Sequence, residues 1–129
     1  MIALLLAASV AATCSTQTGT DAAHRAAVEQ FIENAGNGQF VAMGAQLAPN
    51  AVWTDAVEEK SIPAATFLTE ISNAAAGARV DGVLEVLDMM SDGSDTIAAK
   101  VRKKSDGEVE DNLYVFEVGG GCITRVHLF

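Results

Sequence analysis

Apolar residues recur every three or four positions in the first half of the chain and every second position in the last third, so the sequence predicts helices followed by strands. The first helix begins at Thr20 or Asp21, which are both suited to capping its free amide groups. It ends at Gly36-Asn37-Gly38, residues that tolerate the left-handed conformation. Its predicted buried face consists of Ala27, Val28, Phe31, Ile32 and Ala35.

A second, shorter helix is predicted over about 39–48, with Phe40, Met43 and Leu47 directed inward. Pro49-Asn50 is expected to end it, because the residue before a proline is disfavoured in a helix. A short strand over 51–54 and a solvent-exposed loop over 58–60 follow. The strand leads directly to Asp55, an acid at the end of an apolar segment.

The third helix is predicted from Ser61, its expected cap, to Gly77, with Pro63 in its first turn. Its buried stripe consists of Phe67, Leu68, Ile71 and Ala75. Four strands are then predicted over about 80–90, 95–104, 109–118 and 122–129. The turns between them are short and rich in glycine, so neighbouring strands must run antiparallel. The sequence therefore predicts an α+β domain: three N-terminal helices packed on an antiparallel meander.

Several of these strands are apolar on both faces. In the strand over 80–90, Val83, Leu87 and Met89 alternate with Leu84, Val86 and Met90. One face must pack on the helices, and large apolar patches rarely stay exposed on the other. A homodimer through the sheet is the predicted partner contact.

The N-terminal segment predicts export. Residues 1–13 carry no charge, are too few to cross a membrane, and have the length and small-residue ending of a signal peptide. The positive charge that usually precedes such a segment is missing, which suggests that the true start lies further upstream. The alternative to a signal peptide is that residues 1–13 form a buried apolar helix. We expect a leader and polar tether over 1–20, a domain over 21–129, and a location in the periplasm, in the cell envelope or outside the cell.

Processing of this leader has two interpretations. Ser9-Val10-Ala11 fits a signal peptidase site, whereas Cys14 followed by a polar stretch is similar to the lipid attachment site of a bacterial lipoprotein. A disulfide between Cys14 and Cys122 is not expected, because it would tie a flexible tail to a strand. Cys122 is predicted to be a small buried apolar residue.

Charge and motifs exclude several functions. The net charge of −9 and the pI of about 4.4 argue against a nucleic-acid partner. The two histidines, His24 and His127, lack metal-ligand spacing, so no metal site is predicted. No phosphate-binding loop or nucleophile elbow is present, and no cofactor is expected.

The order of elements and the local sequence resemble the nuclear transport factor 2-like superfamily, which includes ketosteroid isomerases and SnoaL-like polyketide cyclases. The resemblance covers about 21–129 and is carried by Phe31, Gly36-Asn37-Gly38, Leu47-Ala48-Pro49-Asn50-Ala51, Asp55 and the final Val126-His127-Leu128-Phe129. It implies a curved sheet whose concave face and helices enclose a conical pocket. Because this fold hosts many unrelated activities, it does not specify one of them.

The resemblance also implies a set of site residues. Asp55 stands where the isomerases have their general base, and Tyr114 and His127 are candidate catalytic partners. The candidate ligand-binding residues are Phe31, Trp53, Phe116, Arg125 and Phe129. Strand alternation places Tyr114 and Phe116 on one face, and Ile123, Arg125, His127 and Phe129 on one face of the last strand. The resemblance implies that Tyr114, Phe116, His127 and Phe129 point inward.

The catalytic set of the isomerases is incomplete in this chain. Phe31 replaces the tyrosine donor of the first helix, and Tyr114 stands roughly where a protonated aspartate would be. We therefore predict a domain that binds a small hydrophobic molecule. The alternatives are a small isomerase or cyclase with Asp55 as general base on a carbonyl compound, and a structural dimer whose pocket is filled by its own side chains. Simpler roles are a turn residue for Asp55 and an ion pair with Glu117 for Arg125.

Overall fold

The computed structural model describes residue 14 and residues 19–77, 83–105, 107–119 and 121–129. In chain order the elements are α1 (Asp21–Gly36), α2 (Phe40–Gln46), β1 (Leu47–Asp55), β2 (Lys60–Pro63), α3 (Ala64–Gly77), β3 (Val83–Ser91), β4 (Thr96–Ser105), β5 (Glu108–Gly119) and β6 (Cys122–Leu128). Within the described ranges, no helix is both long and apolar enough to cross a membrane. The predicted leader over 1–20 lies almost entirely outside the described residues.

The strands form a single six-stranded sheet in the order β2-β1-β6-β5-β4-β3. The last four strands are antiparallel neighbours, as their short turns predict. The sheet is curved and open, and the three helices complete an α+β fold, which confirms the predicted class. Gly107 has a φ of 79° in the turn between β4 and β5, a conformation that glycine adopts without steric cost.

The sheet has two strands more than the predicted meander. β1 is longer than the predicted strand because the chain becomes extended at Leu47, where β1 pairs in parallel with β6 at Ile123. The predicted second helix is therefore too long, and Pro49 lies inside a strand. Ser61 does not cap the third helix: it lies in β2, where its hydroxyl is 3.0 Å from that of Thr54. Tertiary pairing thus overrides the local helix signal in this segment.

Helix α1 is attached to the sheet through its first two turns. Thr20 caps it as predicted, its hydroxyl accepting a hydrogen bond from the Ala23 amide. His24 is buried and its Nδ1 lies 2.6 Å from the Ser94 carbonyl oxygen, in the loop between β3 and β4. The Asp21 carboxylate accepts a hydrogen bond from Ser91, which is the largest of the effects that lower its pKa. These contacts hold the helix across one end of the sheet.

The hydrophobic core lies between the helices and one face of the sheet. Its members from the helices include Val28, Phe31, Ile32, Met43 and Leu68; its members from the sheet include Ile97, Ala99, Val101, Phe116, Val118, Ile123 and Val126. The predicted inward positions of α1 are confirmed for Val28, Phe31 and Ile32. Because adjacent strands contribute to one continuous cluster, this face of the sheet, here called the inner face, is the one that the helices cover.

Two β-bulges change which residues reach the inner face. In β6 the partners shift from Glu117–Arg125 to Val118–Ile123, so Thr124 is an extra residue. An extra residue reverses the faces of everything beyond it. Consequently Val126 and Leu128 are directed inward, whereas Arg125, His127 and Phe129 belong to the outer face. The predicted inward direction of His127 and Phe129 is therefore wrong.

The second bulge lies at Leu87 in β3, where the partners shift from Val86–Val101 to Asp88–Lys100. Leu84, Val86 and Met89 consequently all pack against the core, although strict alternation places Met89 on the other face. Met90 lies on the other face and is a large apolar side chain of β3 that remains exposed, at 63%. The sequence predicts apolar residues on both faces of this strand largely because it does not reveal the bulge, which turns Met89 toward the core.

The chain upstream of α1 is joined to the sheet. A disulfide connects Cys14 to Cys122, the first residue of β6. The expectation that these two cysteines stay unpaired is therefore wrong. Cys122 is buried, as predicted, but its sulfur belongs to the bridge. Cys14 Sγ also lies 3.8 Å from the Leu47 carbonyl oxygen, so the tail reaches the start of β1 as well as β6.

Candidate functional site

A cavity of about 170 Å³ lies between the helices and the inner face of the sheet. Its lining consists of Phe31, Ile32, Ala35, Met43, Trp53, Phe67, Leu84, Val101, Tyr114, Phe116 and Leu128. All three helices and five of the six strands contribute to it. The cavity is therefore a product of the whole fold and has no counterpart in any short sequence motif.

Aromatic rings form much of the cavity wall. The Trp53 and Phe67 rings stack with their centroids 3.7 Å apart, and the Tyr114 ring meets Trp53 edge to face at 6.1 Å. Phe116 contacts the Tyr114 ring at 6.2 Å and the Phe31 ring at 5.8 Å. Mutual packing of this kind restricts the rotamers of all five rings, so the wall is largely preformed.

None of the described lining residues has a charged side chain, and among them Trp53 and Tyr114 have a side-chain hydrogen-bond donor. Neither donor has a hydrogen-bond partner within the part of the chain that the structure describes, and neither donor atom is fully buried. Burial, with a smaller contribution from Glu110, raises the pKa of the Tyr114 hydroxyl, which therefore stays protonated at neutral pH. The cavity thus combines an apolar wall with two unused donors.

The cavity volume limits what fits inside. Pockets for drug-sized ligands usually measure roughly 300–1,000 Å³, whereas an apolar cavity of about 150 Å³ is able to hold benzene. A volume of about 170 Å³ therefore matches a single ring with a short substituent. A four-ring steroid exceeds it.

Asp55 ends β1 beside the cavity but does not line it. Its Oδ1 accepts hydrogen bonds from the Val57 and Glu58 amides, each at 3.0 Å, and so stabilises the turn into β2. This is the turn role foreseen for this residue. Within the described residues its carboxylate makes no hydrogen bond to Tyr114 or His127. Its cross-strand partner is Leu128, a cavity residue, so the carboxylate stands at the margin of the site.

Arg125 and His127 lie on the outer face, away from the cavity. Arg125 Nε is 3.6 Å from Glu117 Oε2, which is the cross-hairpin ion pair foreseen for it. His127 Nε2 is 2.9 Å from the same oxygen, and the His127 ring stacks loosely on Phe129, with centroids 6.3 Å apart. These three predicted site residues form a surface cluster around Glu117.

The structure therefore brings together four of the eight predicted site residues: Phe31, Trp53, Tyr114 and Phe116. Sequence reasoning missed Phe67, Leu84, Val101 and Leu128 as cavity residues. Phe67 was predicted to be buried, but helical periodicity does not reveal that it stacks on Trp53. Leu128 is hidden by the bulge at Thr124, for which the sequence carries no clear signal.

Comparison with known proteins identifies the fold. A scan against protein-family models and a search of curated proteins found no match. Among solved structures, a protein of Kribbella flavida provisionally described as a ketosteroid isomerase aligns with a TM-score of 0.73 and 21% identity, over 87% of this chain and 79% of that one. A protein of Sinorhizobium meliloti provisionally described as a polyketide cyclase aligns with a TM-score of 0.65 and 22% identity, over 80% and 93%.

A nuclear transport factor 2-like protein of unknown function from Cytophaga hutchinsonii aligns with a TM-score of 0.67 and 15% identity, over 82% of this chain and 88% of that one. The chain thus has the nuclear transport factor 2-like fold, as its resemblance to this superfamily implies. At these identities the similarity establishes the fold, and function must be argued from the site itself.

Proposed function

We propose that this domain binds a small, uncharged, mostly apolar molecule carrying one hydrogen-bond acceptor, such as a carbonyl oxygen. The observation that carries the proposal is an apolar cavity whose two side-chain donors, Trp53 and Tyr114, have no partner among the described residues. Neither donor atom is fully buried, so each remains able to bond water, and an acceptor on a ligand would replace that hydrogen bond while the apolar part of the ligand leaves water. Two of the structural neighbours, provisionally described as a ketosteroid isomerase and a polyketide cyclase, agree with a small-molecule role.

The chemistry of the lining disfavours charged ligands. An ion placed in the cavity would leave water without meeting an opposite charge, because none of the lining residues is charged. The net charge of −9 adds long-range repulsion for anions. The expected ligand is therefore a neutral aromatic or cyclic compound with a single polar group, of which acetophenone is a convenient probe.

The Tyr114 hydroxyl is expected to donate a hydrogen bond to the ligand. We expect Tyr114→Phe to weaken acetophenone binding by about 3–10-fold, because a neutral hydrogen bond contributes roughly 0.5–1.5 kcal/mol. Ethylbenzene, which has a similar shape and no acceptor, should bind the variant and the natural protein equally. Titration by NMR chemical shifts measures both affinities on the same sample. Equal losses for the two probes would mean that Tyr114 contributes shape and not a hydrogen bond.

A matched pair of variants controls this experiment. Ala35→Leu places a larger side chain in the cavity wall and should abolish binding of both probes, whereas Arg125→Ala on the outer face should change neither. Thermal unfolding checks that each variant remains folded. Binding that survives Ala35→Leu would contradict the cavity as the ligand site.

An enzyme is the second candidate, favoured by the position of Asp55 beside Leu128 at the cavity margin. In this case the carboxylate would remove a proton from the carbon next to the ligand carbonyl, and Tyr114 would donate a hydrogen bond to the resulting oxyanion. We expect the binding function instead, and so predict no protein-dependent deuterium exchange at the acetophenone methyl group in D₂O. Catalysed exchange that disappears in Asp55→Asn would establish the enzyme.

We also propose that the domain pairs with a second copy through the outer face. Among the described residues six large hydrophobic side chains are exposed, and four of them lie on this face: Met90, Val109, Leu113 and Phe129. Opposite charges alternate around them, as in the Arg102–Asp111 and Arg125–Glu117 pairs, so the face is chemically self-complementary. An apolar patch of this kind is typical of an interface.

The dimer predicts a contrast between two glutamate substitutions. Leu113→Glu should convert the protein to a monomer, because it buries a charge in the contact between copies. Val41→Glu, at a residue of α2 that is 91% exposed, should leave the dimer intact. Sedimentation velocity distinguishes the two states. A natural protein that sediments as a monomer at high concentration would rule the contact out.

Export completes the proposed function. The uncharged N-terminal segment supports it, and the Cys14–Cys122 bridge supports it independently, because structural disulfides persist mainly in oxidising compartments. The domain would then meet its ligand in the periplasm, in the envelope or outside the cell. No cofactor enters this proposal, and the described residues contain no group of side chains suited to holding a metal.

A further inference from the structure

The bridge between Cys14 and Cys122 bears directly on how the leader is processed. Cys122 is buried at the first position of β6, and Cys14 meets it with a Cα–Cα distance of 5.1 Å. This distance lies within the range that a disulfide requires, so the sheet does not have to move to accept the tail. Cys14 Sγ also contacts the Leu47 carbonyl oxygen, at 3.8 Å. Cys14 is thus placed against both β1 and β6.

We infer that Cys14 is the permanent disulfide partner of Cys122 in the exported protein and is not a lipid attachment site. A lipoprotein cysteine carries its lipid on the same sulfur atom, as a thioether. One sulfur cannot hold both a thioether and a disulfide, so the two fates of Cys14 exclude each other. The domain would therefore be released from the membrane after export and not anchored to it.

The sequence offers a cleavage site that agrees with this inference. Cleavage after Ala11, in the small-residue motif Ser9-Val10-Ala11, leaves Ala12 and Thr13 ahead of Cys14. The cysteine then remains in the mature chain with its sulfur free to react. Lipoprotein processing would instead make Cys14 the first residue of the mature chain and modify its sulfur before the domain folds.

The bond forms by ordinary exchange chemistry. The thiolate of one cysteine attacks the disulfide of an exported dithiol oxidoreductase, and the other cysteine then displaces that enzyme from the mixed disulfide. The two cysteines lose two electrons and two protons in total, and the oxidoreductase disulfide is reduced to two thiols. The fold favours the product, because the Cα atoms of Cys14 and Cys122 are 5.1 Å apart, a separation that suits a disulfide.

The inference rests on the proposed export, and one experiment tests both. The full chain is produced with its own leader in a Gram-negative host, cells are separated into periplasmic, membrane and cytoplasmic fractions, and intact masses are measured before and after reduction. Free thiols are labelled with iodoacetamide under both conditions. The matched variants are Cys14→Ser and Cys122→Ser.

The expected product is a periplasmic protein without lipid, cleaved upstream of Cys14, which takes up no label until it is reduced and then takes up two. Each serine variant should remain periplasmic and expose one labelled thiol. A membrane-bound product whose mass includes acyl chains, released by Cys14→Ser but not by Cys122→Ser, would overturn the inference and leave export intact. A cytoplasmic product with an uncleaved leader would overturn both.

Discussion

Replacing Phe116 with alanine is expected to lower the free energy of unfolding by about 3–5 kcal/mol, the range for large-to-small changes of buried aromatic residues. Phe116 is 1% exposed at the centre of the inner face, where its ring contacts those of Phe31 and Tyr114. Its removal would enlarge an existing cavity, and the surrounding strands cannot collapse to fill the space. Chemical denaturation followed by far-ultraviolet circular dichroism measures the change.

Leu113→Ala is the matched control. Leu113 lies on the same strand but on the outer face and is 42% exposed, so its truncation should cost less than about 1 kcal/mol in the monomer. The comparison must be made at low protein concentration, because loss of a dimer contact would also appear as lower stability. Similar losses for the two variants would contradict the assignment of inner and outer faces.

Breaking the disulfide should have the second largest effect. We expect Cys14→Ser to lower the melting temperature by about 10–20 °C, because loss of a native disulfide typically costs 2–5 kcal/mol in a domain of this size. The bridge spans 108 positions and so restricts nearly the whole unfolded chain. Cys14 is the better residue to replace, since it is only partly buried and a serine there is readily hydrated.

A reducing agent provides the control for this prediction. The natural protein in excess dithiothreitol should melt at nearly the same temperature as Cys14→Ser, and the variant itself should not respond to the reductant. Calorimetry follows all four samples. A natural protein whose melting temperature is unaffected by reduction would show that the bridge contributes little or does not form.

The position of the cavity relative to the bridge has a functional consequence. The bridge joins the tail to the start of β6, whereas the cavity residue of β6 is Leu128, at the other end of the strand. Reduction should therefore lower stability without altering the affinity for acetophenone, as long as the domain stays folded. The disulfide and the cavity thus lie at opposite ends of β6.

Four of the eleven cavity residues were among the predicted site residues. Phe31 lies on the buried face of an amphipathic helix, and Tyr114 and Phe116 alternate along a strand without a bulge between them. Local periodicity sorts these three side chains onto a face, and the resemblance to the superfamily implied that this face, together with Trp53, borders the pocket.

The errors came from features that depend on distant pairing. One extra residue in β6 reverses Arg125, His127 and Phe129, and parallel pairing with β6 extends β1 into the predicted second helix. The disulfide joins residues that are far apart in the chain, and no local pattern encodes their proximity. The local conformational preferences of a short segment do not include the energies of strand pairing or of a disulfide with a distant part of the chain.

Hydrophobic period, capping residues and charge are local properties, so the residues alone predict the α+β class, the order of helices and meander strands, the capped first helix and the acidic surface. The folded chain was needed to show which faces meet, where the cavity lies and which sulfur Cys14 binds. These outcomes depend on strand register, and register is set by the packing of the whole core and not by any one strand.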